Sequence, residues 1–455
     1  MTTLAGEPTT SVTGGMRGRH ARAATIVAAW AAACADEYLI YDRDERWYFA
    51  AGVRADIRLT PSAVTIRYGE TERVHDAGED PAAALAAALK ALPLADWRVY
   101  GHIDFDFCAP YLGAAHRLSP DDDLAYLFVP EREAVLDSTR LGEDEADVSA
   151  AITAAGPWCE ELVALARTAR DVDAPACGVD VSADPDDYRG RVAAAVADIT
   201  AGRYEKVIMS REVAVDFAVD FPATYARGRA ANSPARSFLM RCGGLSMTGF
   251  SPELVGAVDG SGTVVTEPLA GTRALGRSPE QDAAARIDLV TDPKEITEHA
   301  VSVRTSMSEI ESVSVPGTTI VTEFMAVRER GSVQHLASTV QGILAPQHDP
   351  WQALRVLFPS VTASGIPKRE AVDAIFRLEP QRRGRFCGAV VTASSRGELE
   401  AALVLRSVVD RAGRTTIRAG AGIVGQSRPE REFTETAEKL ASIAPHLVAR
   451  DGGEK

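Results

Sequence analysis

At 455 residues, 46% of them apolar and 25% charged, the chain can bury one large core or two to three ordinary ones, and general disorder is excluded. A formal charge of −15 argues against a nucleic-acid binder, which needs clustered Lys and Arg to displace counterions from phosphates. An anionic substrate would have to be held by local cations against the overall field. Six cysteines (Cys34, Cys108, Cys159, Cys177, Cys242 and Cys387) lack any CxxC spacing, which points to reduced thiols and a cytoplasmic location. No run reaches the ~18 apolar residues of a membrane span. The Ala-rich stretch 23–35 follows Arg17, Arg19 and Arg22, but it is weakly apolar and leads into Asp36 and Glu37, a poor signal peptide.

Residues 1–24 begin rich in Thr, Gly and Ser and read as a disordered tail. Segment 25–175 mixes an Ala-rich helical stretch (81–92) with strand-like runs (47–53, 97–107, 125–129) and carries no catalytic spacing. It reads as an N-terminal part of the fold. The Asp-rich stretch 171–187 marks the boundary with a catalytic region over 176–450. There, Asp184 and Pro185 are expected to open a helix with Tyr188, Val192, Val196 and Ile199 on one face. Strand-like runs follow at 206–215, 237–242, 254–258, 388–393, 401–409 and 415–419. Strands come in consecutive groups with irregular helices between them. The expectation is one large α+β domain of layered, mostly antiparallel sheets flanked by helices.

Two helices carry carboxylate pairs. Asp292 and Pro293 start the first, which places Ile296, Ala300, Val303, Met307 and Ile310 on an apolar face and Glu295 and Glu298 off it. Ser427 and Glu430 can form a capping box for the second, which buries Phe433, Ala437 and Leu440 and lines up Glu432, Glu435 and Lys439 on one edge. Such pairs, one turn apart, suit a hard cation such as Mg²⁺ or simply a solvated face. Gly-bearing segments at Leu269-Ala-Gly-Thr-Arg273, Thr362-Ala-Ser-Gly-Ile-Pro-Lys368 and Arg418-Ala-Gly-Ala-Gly-Ile423 read as turns whose amides could approach a carboxylate.

In this order, together with Lys206-Val-Ile-Met-Ser-Arg211, Ser251-Pro-Glu253, Lys294-Glu-Ile-Thr-Glu-His299, Arg328-Glu-Arg-Gly-Ser-Val-Gln-His335 and Glu430-Arg-Glu-Phe-Thr-Glu435, these segments resemble the chorismate-utilising family. That family includes anthranilate synthase component I, isochorismate synthase and salicylate synthase. The likeness covers about 184–450 and is greatest to the mycobactin-type salicylate synthases. Aminating members typically carry Gln where this chain has Lys206, so the resemblance implies hydration. Lys206 would activate water for attack on ring carbon 2 and Glu253 would protonate the departing 4-hydroxyl, giving isochorismate. Loss of pyruvate in the same pocket would then give salicylate. The resemblance further implies Mg²⁺ on Glu298 and Glu435, with Glu295 and Glu432 contacting it directly or through water, and the metal gripping the ring carboxylate. Arg406, the Gly420 backbone and Thr362 would hold the enolpyruvyl carboxylate, with Gly422 in the same glycine run. Gly271, Thr272 and Lys439 would flank the ring carboxylate, and His335 would stand beside the ring. Chorismate is the implied partner, with no amidotransferase subunit.

One residue departs from the pattern, since similar salicylate synthases usually carry Tyr where this chain has Phe386. A lost hydroxyl contact to a carboxylate is worth roughly 1.5–3 kcal/mol. The leading expectation is therefore salicylate synthase, followed by an isochorismate synthase that releases its product, an aminating enzyme, and a silent scaffold.

Overall fold

The computed structural model describes residues 10–450, apart from 143, 277 and 332. Two large sheets pack face to face, and every neighbouring strand pair runs antiparallel. The first runs in the order 365–366, 206–214, 414–423, 407–411, 245–251, 236–242, 38–43, 46–51, 132–137 and 152–154. The second runs 269–274, 333–343, 263–266, 254–258, 399–403, 389–394, 98–103, 125–129, 55–59, 63–68 and 71–76, with 320–330 also paired to 333–343. The expected α+β layering is therefore present. Strands from 25–175 enter both sheets, so that segment and the rest of the chain share one architecture.

Strand alternation explains the layers. In Tyr38–Arg43, Leu39 and Tyr41 point into the cluster between the sheets, while Tyr38 and Ile40 point outward under helices. Ala389–Ser394 does the same in the second sheet, with Val390 inside and Ala389, Val391 and Ala393 outside. Both faces are covered, so such strands read as continuous apolar runs. The helices Pro81–Lys90 and Pro350–Leu357 cover the second sheet, and Lys368–Leu378, Phe221–Ala231 and Pro157–Thr168 cover the first.

Thr10–Ala33 also covers the first sheet, where a disordered tail was expected up to residue 24. Residues 1–9 lie outside the described residues. The Ala-rich run supplies helix propensity, and Ala23, Ile26, Val27 and Trp30 form a buried stripe at helical spacing. Trp30 stacks on Phe49 and donates its indole N–H to the Leu162 carbonyl at 2.9 Å. No helix among the described residues is long and apolar enough to cross a membrane, and all six cysteines are free.

Several local expectations shift. The helix after the Asp-rich stretch is Tyr188–Thr200, capped by Asp187, while Asp184 reaches in to accept from the Tyr188 amide at 2.6 Å. Asp292 caps Pro293–Val313 as expected. That helix, however, turns a polar stripe inward (Glu295, His299, Ser302 and Ser306), so Glu295 lies on the buried face. Pro429–Leu440 starts without a capping box, because the Ser427 hydroxyl serves the Val424 amide at 3.1 Å. The run 401–409 is two strands, Leu399–Leu403 in the second sheet and Ser407–Arg411 in the first.

Candidate active site

Two crossovers between the sheets create the site. The chain leaves the first sheet after Leu245–Ser251 and enters the second at Leu254–Val258, with Pro252 and Glu253 between them. It returns from Leu399–Leu403 to Ser407–Arg411 through Arg406, which takes a left-handed φ of 50°. The crossovers clasp each other: the Leu403 amide donates to the Glu253 carbonyl at 3.2 Å and the Phe250 amide to the Arg406 carbonyl at 3.2 Å. Residues separated by more than 150 positions in sequence thus face one cavity. Its wall includes Glu253, Thr272, His335, Thr362, Phe386, Arg406, Gly420 and Lys439, eight of the residues singled out from the sequence. Ile208 and Arg418, not singled out, also line it.

Glu253 is buried, and burial pushes its carboxyl up to about 7 against the pull of the Thr362 and Ser360 hydroxyls. It is therefore a carboxyl that holds a proton near neutrality, as a general acid requires. The Thr362 hydroxyl donates to Glu253 Oε1, so Thr362 serves the acid in addition to lining the cavity.

Arg406 is the cavity's uncommitted cation. Its guanidinium donates to the Arg330 carbonyl at 3.0 Å and to His335 Nε2 at 3.1 Å, and among the described residues it has no carboxylate partner. Burial, helped by the like charge of Arg330, pulls its pKa down to about 10. By contrast, Arg418 is paired with Glu379 at 2.7 Å and Lys439 with Glu435 at 2.8 Å. A buried cation without a counterion is costly to the empty protein and suited to a carboxylate ligand. Because a guanidinium only donates, His335 Nε2 must accept; the ring proton sits on Nδ1, 3.0 Å from Thr272 Oγ1. Burial and the Arg406, Lys439 and Arg330 charges hold His335 well below its usual pKa. It is a neutral imidazole that orients Arg406. Arg330 is a further neighbour of the site, and the alternating charges of Ile320–Arg330 give it no distinguishing signal in the sequence.

The two carboxylate helices flank the cavity. Lys206 is 6% exposed, and its Nζ lies 2.6 Å from Glu298 Oε1. Lys206 and Ile208 share a face of Lys206–Ala214, which turns the lysine toward the cavity side. Burial opposes the charge on Glu298, but Lys206 outweighs it and holds the carboxyl low; Lys439 does the same for Glu435. Glu432 goes the other way, raised by burial and, despite a Ser427 hydrogen bond, by the charge of Glu435. Glu298 likewise works against the charge on Glu435, so three carboxylates from two helices stand in one another's field. Glu295 is held by Arg273 at 3.0 Å. Among the described residues no three acidic, imidazole or thiol groups converge as a metal centre. The carboxylate oxygens fit a hard dication in donor type and charge, and the two lysines supply the positive charge in this arrangement.

The glycines prove to be strand residues. Gly271, at φ +83°, sits at a bulge in Leu269–Ala274; a Cβ there would stand 3.1 Å from Glu295 Oε2. Gly420 and Gly422 lie inside Arg414–Ile423, and the turn expected at 418–423 is absent. A Cβ on Gly422 would meet Lys206 Cε at 3.1 Å, so the bare backbone makes room for the lysine. The Gly420 carbonyl accepts from Lys439 at 2.9 Å. Phe386 is 5% exposed, its ring 5.8 Å from the Arg383 and 5.6 Å from the Arg418 guanidinium.

The chain belongs to the chorismate binding enzyme family, which it matches over residues 36–445. The family likeness therefore begins well before residue 184 and takes in most of the N-terminal part. The chain is 49% identical over 423 residues to the salicylate synthase of Mycolicibacterium paratuberculosis, covering 91% of this chain and 90% of that protein. It is 39% identical over 259 residues to anthranilate synthase component 1 of Aeropyrum pernix, covering 56% of this chain and 58% of that one. Among solved structures, anthranilate synthase component I from Streptococcus pneumoniae shares the fold with a TM-score of 0.71 at 23% identity, covering 88% of this chain and 92% of that one. The menaquinone-specific isochorismate synthase of Escherichia coli does so with a TM-score of 0.68 at 21% identity, over 92% and 90%.

Proposed function

We propose that the chain is a magnesium-dependent salicylate synthase, hydrating chorismate to isochorismate and then eliminating pyruvate to leave salicylate. The observation that carries this reading is one cavity in which a buried, carboxylate-free Arg406 faces a buried carboxyl that keeps its proton near pH 7. Such a pair suits an anionic substrate with a hydroxyl to be expelled. Lys206, in its neutral amine form, takes a proton from the water that attacks ring carbon 2, and Glu253 gives one to the hydroxyl leaving carbon 4. Arg406, oriented by His335, holds the enolpyruvyl carboxylate for pyruvate loss, a step that depends on a held conformation. Glu298 and Glu435, with Glu295 and Glu432 directly or through water, would hold magnesium, which when bound supplies positive charge against the ring carboxylate. Hydration needs no ammonia, so the reading requires no amidotransferase subunit. The 49% identical salicylate synthase supports the same reaction, and the product would serve siderophore or other salicylate-derived metabolism in the cytoplasm. The test is pyruvate release from chorismate, coupled to lactate dehydrogenase. No pyruvate, with chorismate consumed, would favour the second reading.

That second reading, an isochorismate synthase, has one observation in its favour: Phe386 has no hydroxyl to offer the enolpyruvyl group. We expect Phe386→Tyr to change the isochorismate-to-salicylate ratio by less than about threefold, because the charge-assisted grip of Arg406 outweighs one neutral contact. A large fall in that ratio would show instead that the phenol is needed to hold the conformation.

Activity should vanish in chelator and return with Mg²⁺. Mg²⁺ should also raise the Tm of the natural protein but not that of Glu435→Gln, since a ligand that binds only the folded state stabilises it. Full activity in chelator, or an equal Tm rise in the variant, would remove Glu435 from a metal site.

A further inference from the structure

Glu253 is addressed by the Leu269 amide and by two hydroxyls, those of the cavity residue Thr362 and of Ser360. Ser360 follows the helix Pro350–Leu357 and is 8% exposed. Its place is fixed by its own carbonyl, which accepts from the Ala363 amide at 2.9 Å and the Ser364 hydroxyl at 2.8 Å. Among the described residues its hydroxyl meets only Glu253 Oε1, at 3.2 Å, and Thr362 Oγ1, at 2.7 Å. Thr362 in turn donates to the same Oε1. Both hydroxyls therefore converge on one oxygen of the carboxyl: the Thr362 proton goes to Oε1, and the single Ser360 proton is shared between Oε1 and the Thr362 oxygen.

We infer that Ser360 is a positioning residue for proton transfer: with Thr362 it reserves Oε1 of Glu253 as an acceptor, so that the proton delivered to substrate resides on Oε2. This rests on the proposed role of Glu253 as proton donor. An oxygen already receiving hydroxyl protons is the poorer site for a further proton, and donors to the ionised form favour it. Ser360 thus fixes which oxygen carries the acid proton and keeps the carboxyl acidic enough to release it. The other charged or titratable groups around Glu253 are Glu267, Arg406, Cys387, His335, Arg418 and Lys439. Ser360 hydrogen-bonds none of them, so among these groups its replacement acts on Glu253, directly and through the Thr362 hydroxyl.

The experiment compares the natural protein with Ser360→Ala and Ser360→Thr in full-length chain with Mg²⁺. The fall of kcat/KM with rising pH should move upward by roughly half a unit or more in Ser360→Ala, as one hydrogen bond to the carboxylate is lost. In Ser360→Thr it should return to its original place. Independently of turnover, the Tm deficit of Ser360→Ala should be larger at pH 9, where Glu253 is ionised, than at pH 5. In a Glu253→Gln background the deficit should not vary with pH. An unmoved pH limb, whatever the loss in rate, or a pH-independent Tm deficit overturns the inference. If the natural protein converts no chorismate, the proposed function fails, and the Tm series still decides whether Ser360 acts on Glu253. Should Ser360→Ala not fold, Ser360→Cys, with a weaker donor of similar size, carries the same two readouts.

Discussion

Lys206→Gln is expected to lower turnover of chorismate by roughly 10²–10⁴-fold, the usual contribution of a positioned general base, while chorismate still binds. The glutamine amide can still donate to Glu298 and fit beside Gly422, where the lysine now lies with its Nζ 2.6 Å from the carboxylate. Packing and charge-dipole contact therefore survive while the proton acceptor is lost. Lys206→Ala should be equally inactive and less stable, because it leaves a partly buried Glu298 without its lysine partner. Binding is read by calorimetry and turnover by loss of chorismate absorbance. Turnover like that of the natural protein in either variant would remove Lys206 from the chemistry, and failure to bind would make it a ligand rather than a base.

Glu253→Gln should cost a similar 10²–10⁴-fold in rate, with an opposite sign in stability at high pH. Burial raises the Glu253 carboxyl from 4.5 to about 7. The acid must be protonated to act, so kcat/KM in the natural protein should fall about tenfold per pH unit above about 7. For stability, the folded state binds the extra proton between the unfolded and folded values, so this group's contribution is intact below 4.5 and is lost as pH rises through about 7. At pH 8 the ionised, buried carboxylate carries a penalty on the order of 3 kcal/mol relative to its protonated form. Glutamine removes that penalty, so the variant's Tm should gain on that of the natural protein between pH 5 and pH 8. A Tm difference that stays constant with pH would mean that Glu253 does not titrate in this range.

Much of the layering was legible because alternation and caps are local signals. Leu254–Val258 and the Asp292 cap fall where their residues indicate. What the sequence concealed is where the chain changes sheets. Run 401–409 has no glycine or proline at its break, and the left-handed backbone of Arg406 has no signature in composition. The site arises there, so its residues were identifiable through the ordered motifs while their geometric reason was not. The glycines at 420 and 422 misled in the opposite direction. Glycine signals a turn when read locally, but Arg414–Ile423 is held straight by its ladder to Lys206–Ala214, and Gly422 clears space for a side chain. The inward polar stripe of Pro293–Val313 was invisible to a search for apolar spacing. Ser360 carried no signal at all, since only the folded turn brings its hydroxyl to Glu253.

Hydration of chorismate followed by pyruvate loss at one cavity can be read from chromatography of the products formed from chorismate and Mg²⁺ by the purified chain. Salicylate and pyruvate should form in equal amounts, with isochorismate appearing early and then consumed. Isochorismate as the sole stable product would contradict the second half of the reaction, and unreacted chorismate, or anthranilate formed on adding ammonia, would contradict the first.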